Sequence, residues 1–140
     1  MTFEEKSTLT MTLLLLTVFG GYFALALGPV AASPSRQDAA FGLVIGATVV
    51  LAILTTVSHI VLALINRKQA SARQDERGRL IALRSERLSG YILAVGMFAG
   101  IVLVMLQTET FWIAQALLGA WVLAEVSEGV AKLVLYQRGA

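Results

Sequence analysis

Asn66 to Gly90 reads NRKQASARQDERGRLIALRSERLSG, and it is the only long polar stretch in the chain. It holds seven of the eleven basic residues: Arg67, Lys68, Arg73, Arg77, Arg79, Arg84 and Arg87. Asp75, Glu76 and Glu86 oppose them, which leaves the stretch at net +4. Strongly apolar sequence flanks it on both sides. The whole chain of 140 residues is 57% hydrophobic and 14% charged. Soluble domains sit nearer about 45–50% and about 25%. Apolar runs long enough to cross a bilayer turn that excess into an expectation of an integral membrane protein rather than a soluble core.

Working outward, four spans are expected, at residues 7–28, 39–65, 88–106 and 111–136, with 66–87 as a basic loop. A run of about 20 apolar residues covers a hydrocarbon layer about 30 Å thick. Gly28-Pro29 is expected to close the first helix, because proline cannot extend one and restricts the residue before it. Val30 to Ser33 resembles a signal-peptidase site. The acidic lead, Glu4-Glu5, and the length of the apolar run favour a retained span instead. The fold class is therefore an all-α, four-transmembrane-helix bundle forming a single membrane domain.

Basic residues collect on the cytoplasmic side of membrane proteins. With four spans, both termini share a side with the central loop. That side carries ten of the eleven Lys and Arg, counting Lys6, Lys132 and Arg138, and the other carries only Arg36. Both termini are thus expected in the cytoplasm. Phe111 and Trp112 are expected at the outer interface and Tyr136 at the inner one, as in aromatic belts.

Helices in lipid associate through close approach of small residues rather than through a hydrophobic drive. Each span offers a candidate stripe: Gly20, Ala24 and Gly28; Gly42 and Gly46; Gly96 and Gly100; Ala116, Ala120 and Ala124. These stripes suit a tight four-helix bundle; the alternative is that one of them faces outward and makes a homodimer, and a homo-oligomer or a subunit of a larger assembly is expected.

Ionisable groups inside the spans are the candidates for chemistry. Glu125 lies about 21 Å along a helix that starts at Phe111, Glu128 about 25 Å and Lys132 about 31 Å. Glu128 and Lys132 stand in the favourable i,i+4 order, and Gln115 extends their face outward. His59, the single histidine, reaches a similar depth on the second span. Two readings follow. Glu128 pairs with Lys132 while His59 and Glu125 satisfy one another or reach interfacial water. Alternatively, His59, Glu125, Glu128 and Lys132 form a proton or cation site, because buried ionisable groups commonly mark ion pathways. One histidine and two glutamates make a poor metal site, and no metal or other cofactor is expected. The chain has no cysteine, no catalytic motif and only short aqueous loops, so an enzyme is not expected.

The segment from Asp75 to Arg87 reads as a helix, with acidic residues at its N-terminal end and Asp75 able to pair with Arg79. Leu80, Ile81, Leu83 and Leu88 give it an apolar side, and it is expected to lie at the inner surface and run towards the third span. Arg73, Arg77, Arg79, Arg84 and Arg87 either anchor the helix ends or contact anionic lipid or a protein partner. A nucleic acid is not expected there, since the membrane competes for the same charges.

The pattern D-E-R-x-x-x-I, at Asp75, Glu76, Arg77 and Ile81, resembles a family of uncharacterised small bacterial four-helix membrane proteins. The opening Phe3-Glu4-Glu5-Lys6 and the final hairpin, from Phe111-Trp112-Ile113-Ala114 to Tyr136-Gln137-Arg138-Gly139, look similar to members of it too. The resemblance implies a bacterial inner-membrane location and carries no activity. The leading expectation is a non-enzymatic oligomeric or accessory subunit whose basic cytoplasmic loop contacts a partner or anionic lipid. The alternative is a small proton- or cation-coupled transporter or channel using Glu125, Glu128 and His59.

Overall fold

The computed structural model describes residues 3–65 and 76–138. Arg67, Lys68, Arg73 and Asp75 fall outside the described residues. The protein is all-helical, with no strand among the described residues. Its helices are α1 (Phe3–Leu25), α2 (Arg36–Ile65), α3 (Glu76–Met105) and α4 (Thr110–Arg138), with a π-helical turn (Ala26–Val30) after α1. Three segments, Phe3–Val30, Arg36–Ile65 and Glu76–Met105, are long and apolar enough to cross a membrane.

Several boundaries differ from the sequence reading. The first helix starts at Phe3 and does not stop at Gly28, because the chain widens into a π-turn with Pro29 inside it. Proline has no N–H to donate and its ring crowds the carbonyl four residues back. A wider turn relieves that crowding and carries the helix on to Val30. The second helix begins at Arg36 rather than Ala39, which shortens the loop before it. Glu76 to Arg87, expected as a helix running towards the third span, forms the first turns of α3 without a break, so this span starts at Glu76 rather than at 88.

Packing centres on α1. Its buried residues, Thr12, Leu15, Phe19 and Tyr22, continue into Ala26 at alternating spacings of three and four. That is the seam of a helix packed nearly parallel to its neighbours. Leu43, Val44, Ala47 and Leu51 of α2 cover the seam from one side, and Leu118, Trp121, Val122 and Val126 of α4 from the other. Phe19 is fully buried, with Trp121 edge-on at 5.4 Å and Tyr22 at 5.9 Å between ring centroids. Such edge-on aromatic pairs each add about 0.5–1.5 kcal/mol beyond area burial. The Tyr22 hydroxyl donates to Gln115 Oε1 at 2.8 Å, so two polar groups in the apolar interior satisfy each other.

The small-residue stripes divide. On α3, a methyl group at Gly96 would strike Ala120, and one at Gly100 would strike Leu117. These glycines let the α3 and α4 backbones approach closely. A methyl at Gly20, Gly28, Gly42 or Gly46 meets nothing within 4 Å. The α1 seam instead uses large side chains, and the stripe of α2 faces away from the other helices. The main interfaces are α3 with α4, α1 with α2, and α1 with α4, with a smaller one between α2 and α4. The molecule is thus a three-helix cluster of α1, α2 and α4, with α3 attached chiefly along α4, rather than a uniformly tight bundle.

A Schellman turn joins α3 to α4. The Thr108 N–H reaches Leu103 O at 3.1 Å, and the Gln107 N–H reaches Val104 O at 2.9 Å. Gln107 holds the left-handed position at φ 57°, where glycine is favoured.

Two outcomes follow for unfolding in detergent. Gly96→Leu overpacks the α3–α4 contact and lowers stability by about 1–3 kcal/mol, whereas Gly46→Leu leaves monomer unfolding unchanged. Gln107→Gly relieves the left-handed strain and raises stability by about 1 kcal/mol. Circular dichroism during denaturant titration measures all three.

Candidate functional site

The helix ends gather into two polar clusters. At one end, α3 and α4 turn next to the start of α2. Arg36 forms a two-pronged pair with Glu109, with Nε donating to Oε1 at 2.9 Å and Nη2 donating to Oε2. The guanidinium carbon also lies 5.4 Å from the Phe111 ring centroid. Phe111 is buried beneath it, while Trp112 is exposed. Hydrogen bonding from Arg36 holds the Glu109 carboxyl below the ordinary carboxylate range, against a smaller opposing cost of desolvation.

At the opposite end, α1 starts and α4 finishes. The Tyr136 hydroxyl donates to Glu4 Oε2 at 2.6 Å. Arg77, in the first turn of α3, donates from Nη2 to the Tyr136 carbonyl at 2.9 Å. Ser7 of α1 meets His59 of α2, with Oγ and Nε2 3.2 Å apart. One end of the molecule therefore collects the N-terminus of α1, the end of α2, the start of α3 and the C-terminus of α4.

Inward from this end lies a cavity of about 310 Å3, at the junction of α1, α2 and α4. Ser7, Thr8 and Thr12 line it from α1, and Trp121, Glu125, Glu128 and Lys132 from α4. Met11, Leu15 and Leu51 add apolar wall. A methyl at Gly129 would run into the Thr12 hydroxyl, so α1 and α4 approach closely at that level of the cavity wall.

Four of the residues singled out in the sequence occupy this region, in two arrangements. Lys132 Nζ donates to Glu128 Oε1 at 2.6 Å, and both side chains are largely shielded. This i,i+4 pair cancels one charge within the cavity wall. Glu125 is exposed, accepts no hydrogen bond among the described residues and lines the cavity. His59 is exposed and bonds Ser7 rather than either glutamate. His59 does not line the cavity and meets it through Ser7, which does. No cluster of three or more His, Asp and Glu suited to a metal ion exists among the described residues.

Sequence reading passed over three contributors: Ser7, Thr8 and Trp121. Their polar or aromatic character was visible, but the register of α1 on α4 was not. No family model matches the chain, and neither does any curated protein or solved structure.

The Arg36–Glu109 pair ties the start of α2 to the α3–α4 turn. Because the folded Glu109 pKa is depressed, the pair contributes at neutral pH and its contribution is lost as pH falls through that lowered value. Glu109→Gln is therefore expected to lower the thermal midpoint at neutral pH and to make no difference in strong acid. Melting curves for both proteins across that acid range check this.

Proposed function

We propose that the chain is a four-span inner-membrane protein of bacterial type, with both termini in the cytoplasm, and that it acts without catalysis by docking on anionic lipid. The observation that carries this reading is the face α3 presents in its first turns. Gly78, Ile81, Ser85 and Ser89 are buried on one side. Leu80, Leu83, Arg84 and Arg87 are exposed on the other, with Arg79 at its edge. Exposed leucines interleaved with arginines suit a membrane interface, where apolar side chains enter the acyl boundary and the cations meet headgroups. At about 1.5 Å per residue, the 30 residues of α3 are about 45 Å long. That exceeds a hydrocarbon layer of about 30 Å and leaves the basic turns at the headgroups.

Three observations support counting α4 as the fourth span. It runs back along α3 from a tight turn, it has nearly the same length at 29 residues, and its ends meet those of α1 and α2. The orientation is favoured by the imbalance of charge. Arg36, the one cation expected outside, is matched by Glu109 at the same end. An oligomer is favoured by α2, which buries only Ala40 in the single chain and leaves Gly42 and Gly46 exposed.

Replacing Arg79, Arg84 and Arg87 together with Gln is expected to weaken affinity for phosphatidylglycerol on the order of fivefold per arginine. Arg77 is left in place because it holds the end of α4. Native mass spectrometry of lipid adducts reads the effect, and unaltered lipid binding refutes the docking role. Since the chain has no cysteine, single thiols introduced by Thr108→Cys and Gln137→Cys test the fourth span. Labelling of the two from opposite sides of sealed vesicles is the expected result.

A further inference from the structure

We propose that the cavity between α1 and α4 binds one organic ammonium group, held by Glu125 and the ring of Trp121. This inference rests on α4 lying in the membrane, as proposed above. The ion pair of Glu128 with Lys132 is internally neutral, so the cavity is left with the single negative charge of Glu125. A carboxylate at this depth, with no hydrogen-bond donor among the described residues and with the nearby Lys132 already bonded to Glu128, calls for a counter-charge or a proton.

The surrounding wall selects among possible cations. A small, strongly hydrated metal ion requires several oxygen ligands, and the carboxylates here do not converge with others into such a set. An alkylated ammonium is weakly hydrated and carries apolar surface. It suits a space lined by Trp121, Met11, Leu15 and Leu51, with charge compensation from one side only. An indole ring adds cation–π attraction, which strengthens when the cation is desolvated. The hydroxyls of Ser7, Thr8 and Thr12 can accept hydrogen bonds from an ammonium that retains N–H groups. The volume of about 310 Å3 is enough for a headgroup-sized amine.

A soluble amine and an aminophospholipid headgroup supply the same chemistry, and the test separates them. Tetraethylammonium is titrated into the protein in detergent, and into nanodiscs of phosphatidylglycerol or phosphatidylethanolamine, with empty discs as blanks. The readout is Trp121 fluorescence in a Trp112→Phe background, so that a single indole reports. One saturable site is expected. Glu125→Gln abolishes it and Glu125→Asp retains it. Trp121→Phe weakens binding modestly and Trp121→Leu on the order of tenfold, followed by calorimetry because the reporter is lost. Weaker apparent affinity in phosphatidylethanolamine discs than in phosphatidylglycerol discs assigns the site to a lipid headgroup, and equal affinity assigns it to a soluble amine. Retained binding in a folded Glu125→Gln protein, or none in the parent protein under any condition, overturns the proposal. Sidedness of the Thr108→Cys and Gln137→Cys thiols in sealed reconstituted vesicles, read with an impermeant reagent, reports separately whether α4 crosses the bilayer.

Discussion

Everything in this molecule hangs on the seam of α1. In a hydrocarbon solvent, apolar side chains gain nothing by leaving lipid for protein, so association depends on fit and on polar pairing. The seam supplies both. Phe19 sits between α2 and α4 and stacks edge-on against Trp121, and Tyr22 spends its hydroxyl on Gln115. Remove that fit and α2 keeps little else to hold it, because it buries only Ala40 fully. The α3–α4 hairpin is built differently, on glycine contacts and a Schellman turn, and it joins the rest through α4.

Charge is arranged around that frame in three levels. One end is closed by Arg36 with Glu109, each neutralising the other. The opposite end joins Glu4, Tyr136 and Arg77 and continues into exposed arginines on α3. Between the two, Glu128 and Lys132 cancel, and Glu125 remains. The end pairs latch helices together at their tips, where headgroups and water lower the cost of holding ions. Glu125 is exposed in the single chain, and it lines the cavity without an ion pair among the described residues.

Much of this was legible before any coordinates. The apolar runs gave four helices, because backbone groups in lipid must bond within their own segment. The i,i+4 spacing of Glu128 and Lys132 announced their pair, since that spacing alone brings the side chains together on a helix. The apolar side of the segment after Asp75 foretold a helix running into the third span. Boundaries were less legible. Pro29 looked like a stop, yet a π-turn accommodates it, and the energetic difference between the two lies in crowding that composition does not record. Phe111 and Trp112 are adjacent aromatic residues in the sequence, and it is the packing of Phe111 under Arg36 that buries the first and leaves the second exposed.

What the sequence determined alone is therefore local or one-dimensional: which segments are helical and apolar, where positive charge concentrates, and which ionisable groups share a helix face. Helix period and hydropathy are properties of neighbours along the chain, so one chain suffices to read them. What only the tertiary structure decided is the rotation of each helix about its axis. That rotation sent the glycines of α3 inward and those of α2 outward, and it bonded His59 to Ser7 instead of to a glutamate. In the first turns of α3 it buried Gly78, Ile81, Ser85 and Ser89 and left Leu80, Leu83, Arg84 and Arg87 exposed. Rotation is set by the shape fit between surfaces distant in sequence. Small-residue stripes occur on every helix here, so the pattern offers several rotations, and the packed contacts select among them.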